Sequence, residues 1–336
     1  MLYSVSVGYR KVTLKTLYSR LHKAGFSRSF LKSAVLPEWW DDNQANSKDS
    51  IAIAELAIAR NLGFRIHDLR QDSPLTLHAN DDVRLKRNKN VEWTEVQPGI
   101  IVAKRLARIA AEQARGLATG SRNATASQVR AAILAKSSRI DLYSLLEYCW
   151  SIGIVVLHLH QFPGGKKFDG MAIIVDGVPV IILGSGKDSP AWLAFHLAHE
   201  LGHILLGHVK DGEAIAEVAL DKSDQDPIEV EADSFAAKLL TDDVTRHLVV
   251  ETNKVRLQNL VISVAKQART SPCILALFNA RISKLWALAQ LIIKDLGESE
   301  GAKRAISDEF AKHVQIKDAG SKQRFLNAVT HVNVSE

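Results

Sequence analysis

Residues 189–208 read SPAWLAFHLAHELGHILLGH, and the HELGH at 199–203 constrains this chain more than any other stretch. An α-helix turns once every 3.6 residues, so His199 and His203 project from one side, one turn apart. Two imidazoles so placed can converge on one small ion, and Zn²⁺ accepts nitrogen ligands at about 2.0–2.1 Å. Glu200 follows His199 by about 100° around the helix, where its carboxylate reaches a water at the metal rather than the metal itself. Zn²⁺ brings the pKa of such a water towards roughly 7, so Glu200 can take its proton at neutral pH. The competing reading of the same residues is one turn of an ordinary amphipathic helix with satisfied core histidines.

A catalytic zinc takes three protein ligands and keeps one open position. The next acid-bearing stretch is PIEVEADSFAAKLL, a helix opened by Pro227. Glu229 and Asp233 share a face there, while Glu231 is turned away, so Glu229 is the candidate third ligand. Asp233 is placed to accept the ring N–H of a ligating histidine and set its tautomer. Phe235, Ala236, Leu239 and Leu240 would hold this helix on the core. A longer HExxHxxGxxH pattern would need Gly at 206 and His at 209; the chain has Leu206 and Val209. His208 is therefore read as supporting rather than ligating. His196 is too far along the helix to share the metal with His203 and is read as a cleft or core residue. His158 and His160 alternate on a strand, which leaves substrate cleft and packing both open. His208, His158 and His160 are the candidate transition-state donors.

The surroundings of the motif read as α+β. ASQVRAAILAKS and DLYSLLEYCWSIG are helical, IVVLHLHQF is a strand, and DGMAIIVDGVPVIILG is a β-hairpin turning at Asp176-Gly177. Its DGVPVIIL strand could offer an edge to an extended substrate. Ser189 and Pro190 read as the cap and first residue of the HELGH helix. Upstream, VTLKTLYSRLHKAG, FSRSFLKSAVLPEWWDD and SKDSIAIAELAIARNLGF form short helices, VRLKRNKNVEW a strand, and Pro98 opens a helix to about Ala118. The joints allow a helix-turn-helix or a plain helical bundle. The small polar run ATGSRNATAS reads as a linker, and the chain beyond 245 is nearly all helical.

Charge is unevenly spread. Residues 1–130 hold 21 Lys+Arg against 12 Asp+Glu, a balance of +9 within a net charge of +6 for the 336-residue chain. Such an excess suits an anionic partner, DNA being the obvious candidate, or a plain solvated face. The contributors would be Arg84, Lys86, Arg87 and Lys89 on the strand-like run, with Lys104, Arg105 and Arg108 on the following helix. No apolar run is long enough to span a bilayer, and MLYSVSVGYRKVTLK lacks the apolar core of a secretory signal, so a cytoplasmic protein is expected. Cys149 and Cys273 are then expected as buried free thiols.

Taken together, DGMAIIVDGVPVIILG, WLAFHLAHELGHILLGH and IEVEADSFAAKLLTDD resemble the ImmA/IrrE family of metallopeptidases over roughly residues 125–245. LPEWWDD and the helices after it resemble the front section of a long-chain subgroup. The resemblance implies a gluzincin-like metallopeptidase core, a small twisted sheet with the HExxH helix, flanked by helical N- and C-terminal regions. The segments would be a basic, mainly helical 1–120, a zinc metallopeptidase unit 125–245 and a helical 246–336. It further implies one Zn²⁺ per chain on His199, His203 and Glu229, with Glu200 as general base. The partner would be a protein substrate such as a helix-turn-helix repressor, or a toxin or defence protein encoded nearby, with roles in transcription regulation and stress response. This chain departs from the family in having Asp233 where Asn is common, and LLTDD where the helix commonly ends in LLMP. The alternative class is a DNA-associated regulator or antitoxin-like binding protein that keeps the zinc fold for structure; an intact Glu200 argues against it.

Overall fold

The computed structural model describes residues 13–332 apart from 44–46, 72, 76–82, 88–91, 117–122, 219–225, 245–250, 315–319 and 331. The front section contains α1 (Leu14–Lys23), α2 (Arg28–Phe30), which runs into the wider turn Leu31–Val35, α3 (Lys48–Leu62) and α4 (Ile66–Arg70). Their starts are written locally: Thr13, Ser27 and Ser47 each accept a backbone N–H of the first turn. Gly63 ends α3 at φ +74°, in the left-handed region open to a residue without Cβ. Strand β1 (Val83–Arg87) and the long α5 (Trp93–Ala114) follow. Pro98 lies inside α5 instead of opening it, because a reciprocal Glu92–Glu95 capping box starts the helix five residues earlier.

The central section runs α6 (Ala126–Leu134), α7 (Leu142–Ser151), β2 (Val155–His158), β3 (Gly170–Val175), β4 (Val178–Leu183), α8 (Pro190–Leu205), β5 (Ala214–Val218) and α9 (Pro227–Thr241). Helices α10 (Lys254–Ala268), α11 (Pro272–Ser283), α12 (Trp286–Asp295), α13 (Ala302–His313) and α14 (Ser321–Val329) complete it. The five strands form one sheet in the order β1-β5-β3-β4-β2. The hairpin turns at Asp176 and Gly177, both at positive φ (49° and 76°), the conformation of a type I′ turn. β3 pairs with β4 and β5, and β4 pairs with β3 and β2. Neither hairpin strand therefore presents an edge, which corrects the expectation of a substrate strand added there. β5 escaped the sequence reading because AIAEV is short and two of its five residues are alanine, a weak strand signal.

Alternation along the strands divides the molecule into two layers. Val155, Leu157, Met171, Ile173, Val180, Ile182, Ala214 and Ala216 face a core shared with α1, α3, α5 and, from the far end of the chain, Phe310 and Phe325. Val156, Ala172, Ile174, Ile181, Leu183 and Ile215 face the other way, onto α6, α7, α8 and α9. A smaller cluster joins α10, α11 and α12. Both cysteines are buried free thiols. Among the described residues, no helix is long and apolar enough to cross a membrane.

Candidate metal centre

α8 is buried nearly all round, as its continuous run of apolar and small residues requires. Ser189 is its N-cap residue and Pro190 its first, as expected, although the Ser189 hydroxyl makes no capping bond. Gly202 faces α9: a Cβ there would lie 3.2 Å from the Phe235 ring and 3.3 Å from Ala232 Cα. This close approach brings the first turn of α9 against the HELGH residues. Asp226 caps α9 and Pro227 opens it, leaving Glu229 in that turn with its side chain buried.

His199 Nε2 and His203 Nε2 lie 3.1 Å apart, and the Glu229 oxygens lie 3.3 Å from the first and 3.5 Å from the second. Zinc bonds of about 2.0–2.1 Å in a tetrahedron set ligand atoms roughly 3.3–3.4 Å apart. The triangle of donors therefore fits that ion. Two imidazoles and a carboxylate are also the donor types that zinc takes.

The outer nitrogens are tied down as well. His199 Nδ1 donates to Asp233 Oδ1 at 3.0 Å, and Asp233 Oδ2 accepts from Arg281 Nη2 at 2.6 Å. His203 Nδ1 meets His208 Nδ1 at 3.0 Å, and His208 Nε2 donates to Glu231 Oε2 at 3.0 Å. Both ligand candidates thus keep Nε2 turned inwards with its lone pair available. His208 backs His203 from the side away from Nε2, and Glu231 is largely exposed, serving His208 rather than the donor triangle.

Two more carboxylates complete the centre. Glu200 and Glu217 each bring an oxygen within 4.8 Å of the other and of a His199 ring nitrogen. Glu200 lies over Gly170 of β3, where a Cβ would come within 2.8 Å of its Cδ. Glu217, on β5 opposite Gly170, has Oε2 4.0 Å from His199 Nε2 and 3.9 Å from His196 Nδ1. Burial alone would push the His199 imidazole down, but Asp233, Glu229 and the charges of Glu217 and Glu200 outweigh it and hold its pKa well above the ordinary value. The same field favours any cation beside its Nε2. His203 goes the other way, lowered by burial and by the nearby imidazoles of His199 and His208 despite Glu229. Burial would raise Asp233, yet His199 and Arg281 bring it down to about 2.

The other candidates lie apart from this cluster or at its rim. His196 is buried between the Trp192 and Phe195 rings. His158 is buried and donates from Nε2 to the Ser185 carbonyl at 3.0 Å, while His160, beyond the end of β2, is exposed. Arg84 is exposed on β1, with Glu213 4.0 Å away. Lys104 and Arg105 are half-buried and Arg108 is exposed on α5, a helix that is otherwise mostly core. Burial lowers the Arg105 pKa. The side chains of Lys86 and Arg87, and the whole of Lys89, lie outside the described residues. The sequence reading missed Glu217, Gly170 and Arg281. Only Glu217 had a local signal, as the one acid in an apolar run.

Residues 151–272 match the IrrE N-terminal-like domain of the peptidase M78 family. This segment carries the likeness to the ImmA/IrrE family. The matched segment spans β2 to the start of α11 and so holds the whole donor triangle, whereas α1–α6, β1, nearly all of α7 and most of α11–α14 lie outside it. The match supports a zinc-dependent peptidase type of function and implies a protein substrate. No curated protein matches the sequence.

Proposed function

We propose that this chain is a zinc endopeptidase of regulatory type, with Glu200 as general base and His199, His203 and Glu229 as ligands of one Zn²⁺. The observation that carries the reading is the Glu200 carboxylate packed over Gly170 beside a donor triangle of zinc dimensions. When bound, Zn²⁺ supplies Lewis acidity, polarising a peptide carbonyl and making water acidic enough to attack at neutral pH. Glu200 takes the proton of the attacking water and passes it to the leaving nitrogen. Asp233 and His208 hold the imidazoles in the tautomer that presents Nε2. Burial of all four functional side chains strengthens these charge interactions by excluding water.

The substrate we propose is a partner protein, foremost a helix-turn-helix repressor, with a toxin or defence protein encoded nearby as the next candidate. The family resemblance supports this choice. A purely structural zinc site has no use for a carboxylate at Glu200, which disfavours the binding-protein alternative. The test combines metal analysis of the purified chain with incubation against the repressor encoded beside it, reading products by mass spectrometry. We expect one zinc per chain and discrete fragments that vanish with Glu200→Gln. Identical fragments from wild type and Glu200→Gln would refute the mechanism.

A further inference from the structure

We propose that Arg281, supplied by α11 from outside the family-matched segment, is a positioning residue for the metal centre. The proposal rests on reading that centre as a zinc site. The two histidine ligands are backed differently. His203 leans on His208 and Glu231, both within residues 151–272. His199 leans on Asp233, whose other oxygen is held by Arg281, 48 residues further along the chain.

A carboxylate gripped at both oxygens cannot rotate about Cβ–Cγ without breaking one bond. Remove the guanidinium and Asp233 keeps one contact, 3.0 Å to His199 Nδ1, and gains that rotation. Ring orientation and ligand basicity at His199 then loosen together, since the partner of the outer nitrogen sets both.

Arg281 is itself fixed. It continues the buried stripe of Ile274, Leu277 and Phe278 on α11, and its guanidinium lies 5.1 Å from the centroid of the Phe195 ring. Phe195 is one turn before His199 on α8 and packs edge-on against Phe278. α11 thus meets both α8 and α9 at the metal end, with Arg281 across the joint. Its planar charged head suits a carboxylate on one side and an aromatic face on the other.

The test measures zinc affinity of the full chain by competition with a chromophoric chelator, for wild type, Arg281→Met, Asp233→Asn and the double variant. Methionine keeps packing over Phe195 and removes the charge and donors. Partners of this kind cost about 10–100-fold in metal affinity when lost. We expect about tenfold weaker binding for Arg281→Met, with most of it recovered in Arg281→Lys. In the Asp233→Asn background, Arg281→Met should add less than about twofold, because the arginine acts through that carboxylate. Wild-type affinity in Arg281→Met, or losses that simply add in the double variant, would overturn the proposal. Should Arg281→Met fail to fold by near-UV circular dichroism, Arg281→Gln is read the same way. A wild-type chain that binds no zinc would instead refute the site reading, before any variant is compared.

Discussion

At the scale of single residues, what distinguishes this centre from a histidine pair is the space made for Glu200. Gly170 has no side chain where the carboxylate sits, and any Cβ there would overlap it. Gly170→Ala should therefore displace Glu200 while leaving the donor triangle in place. We expect peptide cleavage to fall about a hundredfold, the usual cost of a misplaced catalytic group, with zinc content unchanged by metal analysis. Loss of zinc in that variant would mean that the glycine serves the fold of α8 rather than the position of Glu200. Glu200→Gln should cost about 10²–10⁴-fold in turnover with zinc retained, since only proton transfer is removed.

Elements in the front section are joined by a half-buried acid, Asp42. Asp42 accepts from Tyr18 Oη (2.7 Å), Trp40 Nε1 (2.7 Å) and Arg28 Nη2 (2.6 Å), tying α1 and α2 to the LPEWW turn. Burial works against its charge, but these bonds win and bring its pKa down to about 2. A carboxyl depressed in the fold stabilises above its unfolded pKa, near 4, and loses that contribution as pH falls towards 2. Asp42→Asn should destabilise the chain by ~2 kcal/mol at pH 7, within the range for hydrogen bonds to a charged group. The difference should shrink below pH 4, which denaturant melts at pH 7 and pH 3 would show. An equal difference at both pH values would assign the effect to packing instead.

For the whole molecule, the sheet is the shared wall. Val155, Leu157, Met171, Ile173, Val180 and Ile182 face α5 and the chain ends, not the metal centre. Phe310 lies edge-on to Trp150, and Phe325 and Val329 of α14 join the same core. Residues 125–245 expressed alone would expose those six side chains, on the order of 10 kcal/mol of lost burial at ~1.5–3 kcal/mol each. That rivals the entire stability of a typical domain, about 5–15 kcal/mol. We expect the fragment to be unfolded or aggregated by circular dichroism and light scattering. A cooperative thermal melt of the fragment would contradict this.

What the sequence determined by itself is whatever a backbone period can carry. The i, i+4 spacing of His199 and His203, the shared face of Glu229 and Asp233, and the Asp176-Gly177 turn are fixed within a few residues by helix and hairpin geometry. The stretches VTLKTLYSRLHKAG, SKDSIAIAELAIARNLGF and DLYSLLEYCWSIG likewise contain α1, α3 and α7. Tertiary structure decided the rest. Gly170 meets Glu200, Glu217 meets His199, and Arg281 meets Asp233 only because β3, β5 and α11 pack where they do. β1, 131 residues before its partner strand β5, shows the same limit: Val83 pairs with Ala214. Such contacts depend on which faces are apolar enough to stack, a property summed over several elements and invisible in any one stretch. The helical pitch places His199 and His203 side by side; only packing brings Glu229 of α9 and Glu217 of β5 to meet them.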